Sequence, residues 1–354
     1  MSEIMKAVVI TEVNKVEVKE VVKPGIERDK VLMKVHACAL CTFEQRMFTG
    51  DSHMPLPIIG GHELVGEIAE VGDRVNEKEF PVGKKIAARL IHSCGKCYFC
   101  RRGEENLCTE INSQGTKYET TDGSGRILSI GGLSQYVLID PSQIYDIDQD
   151  LADTQACFAE PLACVLNSIE RGRIELGDDV VVIGGGIMGM LHVMAAKLSG
   201  ARVIMSEPDE VRRKIAEELG CDITFSPMEK DPVKFVQSLT DGRGAEVVFN
   251  TTPIAAVAAQ AIQMVAPMGR VVMYSSQHPD KPIEVSPNWL HNTEAVITGA
   301  VSPSVRSFNR SVNLLTKKLI DPSKLMSGEF GMDEAQAAFE AASRPDTFRC
   351  IIKF

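Results

Sequence analysis

Val180-Val181-Val182-Ile183-Gly184-Gly185-Gly186-Ile187-Met188-Gly189 is the stretch of this 354-residue chain from which the fold can be read. Four β-branched residues in a row predict a short buried strand, and the glycines that follow fit G-x-G-x-x-G at the opening of an apolar helix. A hydropathy scan flags Val180 to Leu198 as a possible membrane span, interrupted by His192 and Lys197. Three successive glycines near its start and Asp178-Asp179 just before it suit a buried strand that turns into a buried helix instead.

Such a turn needs one glycine to bend, one to let the backbone approach a pyrophosphate and one for close helix-to-strand packing, with the helix N-terminus facing the negative charge. Gly184, Gly186 and Gly189, with Ile187 and Met188 between them, are the expected cradle. The second requirement is an acid at the end of the next strand to accept from the adenosine ribose, and Glu207 stands there. A carboxylate at that point repels a 2′-phosphate, so NAD is favoured over NADP. Arg212 or Arg213 is placed to cover the adenine.

Outward from the turn, apolar runs alternate with helical patterns. Strand 180–183, helix 187–198, strand 202–206, helix 209–219 and strand 223–225 come first; strand 247–250, helix 254–265 and strand 270–275 continue the series. Gly200 and Gly220 stop the first two helices. This alternation predicts an α/β unit with a parallel sheet. Residues 1 to about 150 read differently, as short β-rich runs punctuated by turns such as Val71-Gly72-Asp73, and a helix at 333–342 precedes a last strand at 350–354.

Cys94, Cys97, Cys100 and Cys108 form C-x2-C-x2-C-x7-C, the density of thiols that a closed tetrahedral zinc site demands. An iron–sulfur cluster imitates the spacing in part, and a disulfide knot is disfavoured in a chain whose N-terminus carries charges every few residues and no secretory pattern. The expected compartment is the cytoplasm. Lys96, Arg101 and Arg102 make the loop locally basic, as in a nucleic-acid zinc ribbon, but 48 acidic residues against 38 basic ones give a charge of −10 that repels phosphate backbones and anionic membranes alike. Neither nucleic acid nor membrane is an expected partner.

Cys41, His62-Glu63 and Glu160 are each bland alone, as a buried thiol, a core histidine and a helix-opening acid. Together they resemble something specific. Cys41, then Gly60-Gly61-His62-Glu63-x-x-Gly66 and Val71-Gly72, the four-cysteine lobe, Glu160-Pro161-Leu162 and the glycine turn are similar, in order and spacing over essentially the whole chain, to the zinc-dependent medium-chain dehydrogenases, in particular the sorbitol and threonine dehydrogenase branch. The resemblance implies a GroES-like catalytic domain over 1–150, completed by 288–354, and a Rossmann domain over 151–287. It implies a reactive zinc in the cleft between them held by Cys41 and His62, with Glu63 or Glu160 completing the set, a structural zinc on the four cysteines, a secondary alcohol or ketone as substrate, and a homodimer or homotetramer.

The chemistry agrees, because hydride loss from a carbinol carbon requires a deprotonated hydroxyl, which a zinc ion favours while nicotinamide takes the hydride. One departure stands out. Relatives carry Gly, then Ser or Thr, then Asp after the cysteine, whereas this chain has Thr42-Phe43-Glu44, and a phenyl ring cannot relay a proton. Thr42, Glu44, Glu160, His53 or direct water access must serve. His92 is read as structural, and Cys38, Cys157, Cys164, Cys221 and Cys350 as packing residues. A polyol dehydrogenase is the first functional expectation, a threonine-type amino-alcohol dehydrogenase the second, and a non-catalytic NAD- and zinc-binding scaffold the alternative of another class.

Overall fold

The computed structural model describes residues 3–91, 93–110, 118–277 and 279–354, and its chain divides into two units, Met1–Pro161 with Ser304–Phe354, and Leu162–Pro303. In the second unit every strand pairing is parallel. The order is Ile223–Phe225, Arg202–Ser206, Asp179–Ile183, Ala245–Asn250, Val265–Met273 and Val296–Gly299. The chain winds outward one way from Asp179–Ile183 and then returns to wind the other way from Ala245–Asn250, the doubly wound Rossmann arrangement. All five residues of Asp179–Ile183 are buried, Val180 to Ile183 as a continuous apolar run in a parallel sheet predicts and Asp179 through its ion pair with Arg202. The last strand belongs to this sheet through Arg270↔Val296 to Met273↔Gly299, so the unit runs past residue 287, where the sequence pattern loosens. Backbone pairing holds that strand in place without a strong apolar pattern.

The first unit is β-rich. Its strand Val31–Ala39 pairs antiparallel with Glu63–Val71 on one side; on the other it meets Tyr136–Ile139 through its first residues and Arg349–Lys353 through its last. Ala39 therefore lies opposite both Glu63 and Ile351. The helix Ala335–Ala342 closes the core formed with Met5, Val8 and Phe48, and its Phe339 ring lies 5.4 Å from that of Phe48. No helix among the described residues is long and apolar enough to cross a membrane.

Inside the second unit the helix Ile187–Leu198 is buried on nearly every side, and His192 is buried with it. Its Nδ1 lies 2.7 Å from the Met188 carbonyl and its Nε2 2.9 Å from Ser168 Oγ, while the rings of Phe249 and Tyr274 pack at 4.8 Å. Burial holds its pKa down to about 4. An unfolded histidine titrates near ~6.5. The unfolded chain thus takes up a proton that the fold refuses, and stability is full above that pH and falls as the pH drops toward 4, by about 1.4 kcal/mol per unit at most. Urea midpoints recorded between pH 7 and 5 are expected to decline in the native protein and to decline less steeply in His192→Gln; parallel curves would show that His192 does not govern this limb.

Candidate functional site

The lobe is set by local geometry. Gly95 and Gly103 take left-handed φ angles of 68° and 77°, bending the chain so that the sulfur atoms of Cys94, Cys97, Cys100 and Cys108 all lie within 4.8 Å of one another. Four ligands at a zinc–sulfur distance of about 2.3 Å would sit roughly 3.8 Å apart, so a closed tetrahedral site fits. Backbone amides already point at the sulfurs, from Cys97 to Cys94 at 3.3 Å, from Cys94 to Cys108 at 3.4 Å and from Cys100 to Cys97 at 3.5 Å. The Cys100 amide, and after it that of Thr109, pulls the Cys97 thiol down to about 6, while desolvation and hydrogens shared with Cys97 push Cys100 up to about 12. The cluster is thus prepared for thiolates, with protons that a cation would replace.

A second group assembles at one end of the antiparallel sheet. Cys41 caps the helix Thr42–Thr49, two residues beyond the strand that ends at Ala39; His62 precedes and Glu63 begins the neighbouring strand. Ligand atoms of Cys41, His62 and Glu63 lie within 4.8 Å of one another. His62 is oriented from behind: its Nδ1 is 3.0 Å from Glu44 Oε1, which also accepts from the Gly61 amide at 3.0 Å. That leaves Nε2 as the ring nitrogen available to a metal, the usual carboxylate–histidine–metal arrangement. Glu44 is fully buried and its Oε2 has no hydrogen-bond partner. It can set the tautomer and basicity of His62, and its burial is poorly suited to carrying protons to solvent.

Glu63 is also fully buried and is gripped by Arg349, whose Nε and Nη2 donate to its two carboxylate oxygens at 2.8 and 2.6 Å; Nη2 also lies 3.8 Å from Cys41 Sγ. Glu160, at the start of the helix Ala159–Gly172 and 6% exposed, is outside the group of three, but its charge acts on both Glu63 and Arg349. Thr42 and His53 are exposed, Phe43 presents its ring edge-on to His62 at 6.0 Å, and His92 lies outside the described residues.

The electrostatics ask for a cation. Burial opposes the charged form of His62, yet Glu44 and Cys41 outweigh it and raise the histidine well above its ordinary value. For Glu44 the desolvation is overcome by His62 and by the Gly61 amide, which hold the carboxyl low. Burial, reinforced by Glu160 against the pull of Arg349, raises Glu63, and burial with the neighbouring Glu63 raises the Cys41 thiol. Cys41, Glu44, Glu63 and Glu160 gather around Arg349 and His62, and a divalent ion would take the place of the protons that Cys41, His62 and Glu63 hold.

The glycine turn in the other unit is equally constrained. Gly184 has φ 99°, and a Cβ on Gly189 would lie 1.8 Å from the Gly184 carbonyl oxygen, so only glycine lets helix and strand pack there. Gly186, the helix N-cap, is open: the nearest atom to a Cβ placed on it is Arg212 Nη1 at 3.9 Å. Glu207 follows the strand Arg202–Ser206 and is nearly buried; it accepts from the amides of Gly185 and Asp209. Arg213 is committed to the carbonyls of Glu207 and Pro208 at 2.8 and 2.7 Å, which leaves Arg212 as the arginine beside the open glycine.

Residues 27–149 match the alcohol dehydrogenase GroES-like domain and residues 188–317 the zinc-binding dehydrogenase domain. A sorbitol dehydrogenase from Halalkalibacterium halodurans is 28% identical over 353 residues, 98% of this chain and 99% of its own. An L-threonine 3-dehydrogenase from Thermococcus kodakarensis is 34% identical over 257 residues, 71% of this chain and 69% of its own. The chain belongs to the zinc-dependent medium-chain dehydrogenase family. The crystal structure of a zinc-binding dehydrogenase from Sinorhizobium meliloti bound to NADP superposes with a TM-score of 0.87 at 26% identity, covering 99% of this chain and 100% of its own. The GroES-like and Rossmann folds expected from the sequence are those of the family.

Sequence reasoning missed Arg349. The strand was expected to start at Cys350, one residue later, and a lone arginine before an apolar run carries no mark of being 2% exposed. Only pairing with a carboxylate 286 positions away reveals it. The role of Glu44 was likewise hidden, because nothing in its own neighbourhood shows that His62 lies behind it.

Cys97→Ser opens the four-sulfur lobe and is expected to cut metal content by about one zinc per chain and lower thermal stability. Unchanged metal content by elemental analysis would exclude the lobe as a zinc site.

Proposed function

We propose that this protein is a zinc-dependent, NAD-linked polyol dehydrogenase that oxidises a secondary alcohol to its ketone and runs the reverse reaction. The observation that carries the reading is the convergence of Cys41, His62 and Glu63 beside a buried arginine and two further carboxylates. Cys41 and His62 are the proposed direct ligands of the reactive zinc. Glu63 or Glu160 completes the set, Glu63 by exchanging between Arg349 and the ion. Cys94, Cys97, Cys100 and Cys108 hold the structural zinc.

When bound, zinc supplies the Lewis acidity that favours the deprotonated hydroxyl, and NAD supplies the hydride acceptor. The rest is done by the chain. Glu44 fixes His62 through Nδ1, Arg349 holds Glu63 and keeps its charge from accumulating beside Cys41, and Phe43 shields one side of His62 from water. Because that ring relays nothing and Glu44 is sealed, the alcohol proton is proposed to leave through the exposed Thr42 or directly to water. Gly184, Gly186, Ile187, Met188 and Gly189 cradle the pyrophosphate, Glu207 takes the ribose hydroxyls, and Arg212 lies along the dinucleotide.

The polyol assignment is supported by full-length likeness to sorbitol dehydrogenases and by relatives named for arabitol phosphate and for erythritol and L-threitol. The threonine-type reading draws on the higher local identity of the archaeal enzymes. A panel of sorbitol, smaller polyols and L-threonine with NAD, followed at the nicotinamide absorbance with and without chelator, separates the two; chelator-insensitive turnover would refute the metal mechanism, and no turnover with about one zinc per chain would favour a scaffold. Ten thiols, four of them at metal spacing, support a reducing cytoplasm, and the half-exposed edge strand Val296–Gly299 supports a dimer or tetramer.

Cys41→Ser is expected to abolish turnover while leaving circular dichroism and the melting profile near those of the native protein; a variant that still turns over removes Cys41 from the reactive metal. Glu207→Ala is expected to lower the NAD-to-NADP ratio of kcat/KM by about tenfold or more, equivalent to roughly 1.4 kcal/mol. An unchanged ratio would contradict the ribose role.

A further inference from the structure

At the base of the four-cysteine lobe, the strand Lys85–Ala88 runs into an arginine that the mechanism does not use. Arg89 is 2% exposed. Its amide donates to the Gln143 carbonyl, Gln143 Nε2 returns a bond to the Arg89 carbonyl, and its Nη2 reaches Ser93 Oγ at 3.2 Å. Its Nε and Nη1 are buried with no hydrogen-bond partner. Ala87 pairs with Tyr145 in the adjoining strand Ile144–Asp146, and Arg89, two residues on, projects from the same face, so guanidinium and phenol are diagonal neighbours. The Tyr145 hydroxyl is also buried without a partner, and its ring packs on Phe308 at 4.5 Å. Burial raises the Tyr145 pKa against the charge and the hydrogen-bonding contact of Arg89, while Glu105 adds a smaller upward push, so guanidinium and phenol lie side by side.

An arginine keeps its charge in a protein, and a buried charge without a counter-ion is strongly unfavourable. Among the described residues Glu105 is the acid felt at this spot, and it forms no ion pair with Arg89. A water molecule would neutralise nothing and would still need acceptors for its own hydrogens. We propose that Arg89 and Tyr145 form a buried site for one small monovalent anion of the halide class, which accepts from Nε, Nη1 and the tyrosine hydroxyl at once. Three donors of one polarity and a single positive charge match a spherical monoanion, whereas a phosphate presents more acceptor oxygens and more charge than these two side chains can serve. Because Ser93 directly precedes Cys94, the anion would tie the sheet to the base of the four-cysteine lobe.

Two experiments on the zinc-loaded full chain decide this. Crystals soaked in bromide and measured at the bromine absorption edge are expected to show an anomalous peak in contact with Arg89 and Tyr145; bromide only at the protein surface, or water alone at this position, overturns the proposal. In solution, replacing gluconate by chloride at fixed ionic strength is expected to raise the melting midpoint of the native protein by a few degrees, less in Tyr145→Phe and not at all in Arg89→Met. Arg89→Met, having lost the buried charge, should melt in gluconate no lower than the native protein. A chloride effect that persists undiminished in Arg89→Met belongs to another site and refutes the assignment.

Discussion

A buried ion pair organises the candidate metal site of this protein. Glu63 and Arg349 project from strands that flank Val31–Ala39 on opposite sides, and Ala39 is opposite both Glu63 and Ile351. The pair therefore spans the width of three strands at one end of the sheet, and Cys41 emerges from the middle strand two residues later, within reach of the same guanidinium. Register thus decides chemistry here. A slip of one residue in either pairing would turn Glu63 or Arg349 to the other face and leave its partner as a lone buried charge, a loss of about 3–5 kcal/mol.

The same logic explains the number of carboxylates in the pocket. Glu44, Glu63 and Glu160 are all nearly or fully buried, yet they act on different parts of the site: Glu44 on the back of His62, Glu63 on the guanidinium, and the charge of Glu160 on Glu63 and Arg349. Distributing the charge gives Glu44 and Glu63 each a compensating neighbour, His62 and Arg349. The protons that burial and neighbouring charge keep on Cys41, His62 and Glu63 are ones that a bound cation would replace.

Much of this was legible in the sequence, for identifiable reasons. The strand-turn-helix at Val180–Gly189 announces itself because packing, bending and phosphate approach each demand glycine at a fixed spacing, and the 1.8 Å contact at Gly189 shows how little latitude remains. The cysteine lobe is local in sequence and so visible as a motif. The group of Cys41, His62 and Glu63 became visible only through family resemblance, since each of these residues is bland in its own stretch, and Glu160, expected beside them, stands outside the group. Arg349 and the inward turn of Glu44 were not legible, because burial and partnership, 286 positions apart for Arg349 and 18 for Glu44, leave no periodic or compositional trace. The run from 288 to 303 misled for a related reason: its weak apolar pattern hides a strand whose place is fixed by backbone pairing with Val265–Met273.

The interrupted first unit has a consequence for how the chain is made. Leu162–Pro303 is continuous and can fold as soon as it has left the ribosome, whereas the unit around it waits for Ser304–Phe354. Until Arg349 is synthesised, 308 positions after Cys41, the nascent sheet holds the thiol, the imidazole and the acids without their balancing guanidinium. The dinucleotide half is thus born ready, and the metal half becomes closed and selective only when the growing polypeptide doubles back to supply its final strand.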